Sequence, residues 1–336
     1  MQPGRAFAER HWYRDRPGLL SVLLLPVAAL FGLAVTLRRW FYRCGLLPSH
    51  QLPVPVLIIG NLTVGGTGKT PLVLWTAERL QAMGRRPGII LRGHGGTSAV
   101  PRLVSPDDDA RLVGDEALLL AARSHCPVWA GRDRVAAARA LLAAHPGCDV
   151  LIGDDGLQHY RLARDIEIAV EDERGHGNGL LLPAGPLREP SRRAVDATVV
   201  NSGHEGGRLP GPGPAFRMQL RPAGFERLDG SPVAVASLAS LRLHAVAGIG
   251  NPQRFFDTLS SLGLQFKAHA FPDHHAYAEA ELEFQDCDAV LMTEKDAVKC
   301  RRFARREEFI VLRVVAAPDP AFAEFLLKAL NGLQTA

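Results

Sequence analysis

The segment Thr63-Val64-Gly65-Gly66-Thr67-Gly68-Lys69-Thr70 constrains what this chain can fold into more than any other. It follows a short apolar run at 54–59 and precedes a helical pattern from Pro71 to Met83, with the proline tolerated in the first turn. Strand, glycine loop and helix in that order make a phosphate cradle. Gly65, Gly66 and Gly68 let backbone N–H groups curve around phosphate oxygens, and the helix N-terminus adds partial positive charge. Thr63 stands where the strict pattern has glycine, so this is a variant match whose TGKT end is intact. Residues Thr63, Val64, Gly65, Gly66, Thr67, Gly68, Lys69 and Thr70 are therefore the expected nucleotide site. Lys69 would bridge the β- and γ-phosphates of ATP, and Thr70 would help hold Mg²⁺.

The rest of the chain keeps the α/β rhythm. A strand at Gly88–Leu91 leads into RGHGG, a helical segment follows VGDEALLLAARS, and a strand near Pro127–Ala130 precedes RDRVAAARALLAA. Residues 149–152 form another apolar strand, ending at Asp154 and Asp155. These two carboxylates, at the carboxyl end of a strand, suit a metal-binding element; adjacent acids are also common in surface turns. A glycine- and proline-dense stretch at 201–216 marks a loop or subdomain boundary. Beyond it come hairpin-like linking strands, and from Leu243 the alternation returns, with helices expected at Pro252–Leu262 and around Tyr277–Phe284 before a terminal helix. The expected fold is a P-loop, largely parallel sheet with helices on both faces, plus a smaller α/β lobe. Its expected divisions are an N-terminal helical region at 1–50, a P-loop core at 51–215, linking strands or a hinge at 216–242, and a second lobe at 243–336.

Charge is distributed unevenly. The chain of 336 residues carries a net charge of +4, yet its first 50 residues carry +5 and the remainder −1. That balance leaves no broad basic track, which argues against nucleic acid as a partner and against a nuclease. Five widely spaced cysteines without a CxxC pair fit a reducing compartment. Residues 19–37 form a run of nineteen positions without a charge, flanked by arginines and by Trp12, Tyr13, Trp40, Phe41 and Tyr42. As one helix the run would be roughly 28 Å long, close to the thickness of a hydrocarbon core, with Pro26 in its middle. A spanning helix, an in-plane anchor and a buried helix all fit the pattern. The long run, its aromatic flank and the lack of a small-residue cleavage site disfavour a signal peptide.

The motifs GNLTVGGTGKTP, RGHGG, VGDE, IGDDGLQH, GNGLLLPAGPLRE, FPDHHAY and LMTEKDAVK together resemble the tetraacyldisaccharide 4'-kinases of lipid A biosynthesis over nearly the whole chain. The resemblance implies phosphotransfer from ATP to the 4'-hydroxyl of a tetraacylated glucosamine disaccharide 1-phosphate, at the cytoplasmic face of a Gram-negative inner membrane. It implies that Asp115 is the catalytic base and that His274 is its partner from the second lobe, with His275 an open alternative. Lys69 and Thr70 take the nucleotide and metal roles, and Asp154, Asp155 and Glu189 are metal or active-site carboxylates. Arg92, His94, His159 and Asn178 are weaker substrate candidates; RGHGG departs from the family's RGYGR-like element at His94 and Gly96. A membrane-tethered P-loop ATPase that regulates or moves a partner is the alternative of a different class. It explains the loop and the anchor but ignores the substrate-associated motifs.

Overall fold

The computed structural model describes residues 11–14, 16–98, 100–202, 213–304 and 306–334. The core of the glycine- and proline-dense stretch, residues 203–212, lies outside them. In chain order the strands are β1 (Val56–Gly60), β2 (Pro87–Leu91), β3 (Arg102–Leu103), β4 (Val128–Ala130), β5 (Val150–Asp154), β6 (Ile166–Asp172) and β7 (Ala197–Asn201). They continue as β8 (Ala215–Arg227), β9 (Pro232–Val233), β10 (Leu243–Ala247), β11 (Phe266–Ala270), β12 (Ala289–Thr293) and β13 (Phe309–Pro318). All thirteen join one sheet in the order β11-β10-β12-β13-β8-β7-β6-β1-β5-β2-β4-β3, with β9 paired to β8. The largely parallel expectation holds: only β13–β8, β3–β4 and β8–β9 pair antiparallel. Every residue of β1, β2 and β5 is buried, as strands covered by helices on both faces must be.

The β8–β13 ribbon determines how the two halves meet. Near its start, Met218 of β8 pairs with Asn201 at the carboxyl end of β7. Farther along, Phe225 pairs with Leu312 of β13, which in turn pairs with Thr293 at the carboxyl end of β12. Because β8 and β13 run in opposite directions, the carboxyl ends of β1, β5 and β7 point toward those of β10 and β12. Seven residues of β8, one of them absorbed by a register shift at Arg313/Val314, face six of β13 between the two levels, roughly 20 Å along the ribbon. In parallel α/β sheets ligands bind at carboxyl edges; here two such edges face one another.

Each half has its own core. Leu57, Ile59, Leu72, Ile89 and Ile152 pack on one face of the first half, and Ile58, Ile90, Leu141 and Leu151 on the other. The second half buries Phe255, Phe256 and Leu291 on one side and Val246, Val290 and Phe309 on the other. The C-terminal helix Pro320–Gln334 folds back to the first half: Phe322 lies 5.5 Å, ring to ring, from Trp75, and Leu326 and Leu330 enter the same core.

Two local expectations need correction. The apolar run is not one helix: it divides into Leu19–Leu23 and Leu25–Arg43, with Pro26 in the first turn of the second, where its missing N–H costs nothing. Among the described residues no helix is long and apolar enough to cross a membrane. The helix expected around Tyr277–Phe284 is only a 3-10 turn at Glu279–Leu282, where the Glu281 carboxylate accepts from the Ala278 N–H and bonds His275. Two strands that the sequence pattern does not single out, β6 and β7, lie between β1 and the ribbon.

Candidate active site

The glycine loop leaves β1 in the expected place. Gly65 and Gly68 take φ values of +120° and +92°, which a side chain would strain. The helix Lys69–Ala82 starts without a side-chain cap, so its N-terminal donors face the loop cavity rather than a neighbouring residue. The loop is braced from outside. Asn61 donates to the Gly65 carbonyl at 3.1 Å, Asn201 donates to that of Thr67 at 3.0 Å, and the Val64 N–H donates to Pro186 O at 2.9 Å.

Asp154 sits on the adjacent strand, its Cα paired with Ile59, and is 2% exposed. One of its oxygens, Oδ1, has no hydrogen-bond partner, and neither does the buried Oε1 of Glu189. Burial, with Glu116 and Asp155 adding to it against Lys69 and Arg134, pushes the Asp154 carboxyl up to about 7. Glu189 uses its other oxygen, which accepts from Tyr160 at 2.7 Å and pairs with Arg193 at 2.6 Å. These buried carboxylate oxygens are hard donors of the kind that fits Mg²⁺. Among the described residues no group of three His, Cys, Asp or Glu forms a closed metal cage.

Asp155 has a different environment. Arg188 reaches both of its oxygens at 3.1 Å, Lys69 Nζ stands 3.7 Å away, and Arg134 donates to its backbone carbonyl at 2.7 Å. Although burial would raise its pKa, these cations hold the carboxyl well below the usual carboxylate range. Arg188 was not among the sequence-predicted site residues. Arg188 lies one position before Glu189, inside the PLRE motif.

Asp115 opens the helix Asp115–Arg123 and is 5% exposed. His274 reaches it from the loop after β11, with Nδ1 3.0 Å from both carboxylate oxygens, and its own backbone holds φ at +59°. His275 turns away to pair with Glu281 at 3.0 Å, so His274 is the partner that faces Asp115. Burial opposes ionisation of Asp115, but the His274 hydrogen bond and the charges of Lys295 and Lys299 outweigh it and hold the carboxyl far below its ordinary range. The same hydrogen bond raises the His274 pKa against burial. Beside the pair, Lys295 from the second half binds Glu116 at 2.8 Å, and Lys299 Nζ lies 4.0 Å from Asp115. Lys295 was visible in the TEKDAVK motif but carried no predicted role.

The weaker candidates separate. His94 stands edge-on to His274, ring centroids 5.2 Å apart, so the RGHGG loop borders the Asp115 pair. Arg92 is exposed, and its charge adds to the burial that lowers the pKa of Arg134 against Asp155 and Asp154. His159 is half-buried and pushed down to about 4 by burial and then by Arg134, leaving a neutral ring at neutral pH. Asn178 is occupied elsewhere: it donates to Ala184 O at 2.9 Å and Ser21 Oγ at 3.3 Å and accepts from Leu180 N–H, pinning the N-terminal helices to the loop after β6.

A protein-family model described as tetraacyldisaccharide-1-P 4'-kinase matches residues 20–331. The tetraacyldisaccharide 4'-kinase of Herminiimonas arsenicoxydans is 48% identical over 342 residues, covering 97% of this chain and 96% of the relative. That of Nitrosococcus oceani is 51% identical over 331 residues, covering 97% and 94%. A crystal structure of LpxK from Aquifex aeolicus in complex with ATP superposes with a TM-score of 0.81 at 29% identity, over 93% of this chain and 100% of the other.

Proposed function

The chain belongs to the tetraacyldisaccharide-1-P 4'-kinase family, and from that premise we propose how its residues divide the reaction. The enzyme transfers the γ-phosphate of ATP to the 4'-hydroxyl of a tetraacylated disaccharide 1-phosphate in lipid A synthesis. The observation that carries the division of labour is the Asp115 carboxylate, kept ionised by His274 from the facing half.

Asp115 accepts the 4'-hydroxyl proton as the sugar oxygen bonds to the γ-phosphorus and the bond to the β-phosphate oxygen breaks, releasing ADP. His274 orients the carboxylate and stabilises its charge before transfer. The glycine loop and uncapped helix hold the phosphates, while Lys69, set in place by Asp155, neutralises charge on them. Thr70, Asp154 and Glu189 would hold Mg²⁺, which when bound supplies positive charge at the phosphoryl oxygens. The loop carrying His94 borders the acceptor sugar. Asn178 acts as a clamp for the N-terminal helices. The catalytic body divides into the P-loop half and the second half about the β8–β13 ribbon.

The N-terminal helices lie along the cytoplasmic face of the inner membrane. Leu19 is 78% and Leu30 68% exposed, and Val22, Leu23, Val27, Leu33, Leu37 and Trp40 continue an apolar ridge toward Arg38, Arg39 and Arg43. The opposite face, with Ser21 and Ala28 buried and Gly32 against Leu181, seats them on the protein.

The test is transfer of labelled γ-phosphate from ATP to a tetraacylated disaccharide 1-phosphate in mixed micelles, with Lys69→Ala as control. A Lys69-dependent sugar phosphate is expected; ATP loss without lipid product would replace the kinase with an ATPase.

A further inference from the structure

Asn201 ends β7 with its side chain fully buried between the glycine loop and the second half. Its Nδ2 donates to the Thr67 carbonyl at 3.0 Å, and its Oδ1 accepts from the Arg254 guanidinium at 2.9 Å. The amide has only one workable orientation here: a guanidinium can only donate and a carbonyl can only accept. Gly68 adopts its left-handed conformation against this amide, and a methyl group built on it would stand 2.6 Å from Nδ2. Arg254 lies in the first turn of the helix Pro252–Ser261, which follows β10 in the second half. One loop earlier, a methyl group on Gly250 would stand 3.5 Å from the Gly66 nitrogen. The second half therefore comes close to the glycine loop at Gly66 and reaches Thr67 through one buried amide.

We propose that Asn201 is a positioning residue that couples the second half, through Arg254, to the shape of the phosphate loop, so that ATP is held tightly only when that half is in place. The proposal rests on the glycine loop being the ATP site. A displacement of the Arg254 helix by an ångström or two breaks a 2.9 Å hydrogen bond and strands Oδ1 in a dry environment. The amide then loses the constraint that points its Nδ2 at Thr67. Neither residue touches the Asp115–His274 pair in any hydrogen bond or ion pair seen here, so the coupling acts on nucleotide binding rather than on proton transfer.

The test is calorimetric titration of the full chain with ATP and Mg²⁺, alongside KM for ATP and for lipid, using Asn201→Ala, Arg254→Ala and the double variant. Each single variant is expected to weaken ATP about tenfold, and the double variant to weaken it by the same factor, with KM for lipid unchanged. Arg254→Lys keeps a single donor and is expected to recover ATP binding to within about threefold of the unsubstituted chain. Multiplying effects in the double variant, or a lowered melting temperature with unchanged ATP affinity, would overturn the coupling. If the unsubstituted chain binds ATP and all variants bind it equally, this inference alone fails; if no form binds ATP, the reading beneath it fails too.

Discussion

The carboxyl edge of β1 and β5 meets its ligand mainly with backbone, whereas the facing edge of β10–β12 and the loop after β11 reach out with long side chains. On the first edge, two glycines with positive φ and an uncapped helix shape the cradle, and Asp154 is placed by sheet register. On the second, His274, Lys295 and Arg254 cross the gap singly to Asp115, Glu116 and Asn201. Backbone in a register is hard to displace; side-chain bridges of one or two hydrogen bonds are made and broken readily. On the proposed assignment, the difference teaches that nucleotide binding would be built into one edge and alignment of the acceptor delivered by the other.

Substitutions on the two edges should therefore fail differently. Asp115→Asn keeps the shape but removes the proposed proton acceptor, and kcat should fall about 10²–10⁴-fold with KM for ATP little changed, measured by steady-state phosphate transfer. Lys69→Ala should lower kcat by about 10²–10³ and also weaken ATP, because its charge serves the phosphates in both ground and transition states. Equal effects of these two variants on ATP affinity would erase the distinction between the edges.

His274→Ala sharpens it further. In the intact protein the folded-state pKa of Asp115 is depressed, so the base stays charged through the neutral range. Without the His274 hydrogen bond, burial is less opposed and the Asp115 pKa rises. The pH–rate profile should gain an acid limb at higher pH than in the unsubstituted enzyme, with roughly tenfold lower kcat at neutrality. For stability the signs differ. The raised pKa of His274 contributes below its unfolded value and is lost as pH rises through the folded one; the depressed pKa of Asp115 contributes above its unfolded value and is lost as pH falls through the folded one.

Asp154 belongs to the first edge and, as a proposed ligand, should report on Mg²⁺. With its carboxyl raised to about 7, protons compete with the cation, and half-saturating Mg²⁺ should be about tenfold higher at pH 6 than at pH 8. Asp154→Asn should flatten that dependence. The smallest effect on the chemistry should come from outside both edges: Leu30→Glu should weaken sedimentation with anionic phospholipid vesicles about tenfold, at roughly 1.5 kcal/mol for one exposed leucine, while ATP affinity stays constant.

How much of this was legible in the sequence follows the same division. The glycine loop announces itself because its strand, loop and helix are contiguous, and Asp154 stands at the end of an apolar strand. Asp115 and His274 are 159 positions apart, and nothing local in either segment states that they touch; only family resemblance paired them. Asn201 closes the short strand ATVVN, an element passed over because it is brief and adjoins a glycine-rich stretch. Lys295 and Arg188 sit inside recognised motifs, but their importance depends on which carboxylates the sheet brings opposite them. The apolar run at 19–37 reads as one span on hydropathy, while Pro26 starts a second helix instead of bending the first.

The β8–β13 ribbon also acts as a ruler. Apart from the register shift at Arg313/Val314, side chains alternate along both strands, so removing a facing pair elsewhere between Met218 and Phe225 would turn the far half over as well as draw it closer. Only paired deletions or insertions preserve facing, and each changes the separation by roughly 6.6 Å. The distance between the two facing carboxyl edges is thus adjustable in coarse steps, and the register shift at Arg313/Val314 is a place where the ribbon already absorbs a single residue.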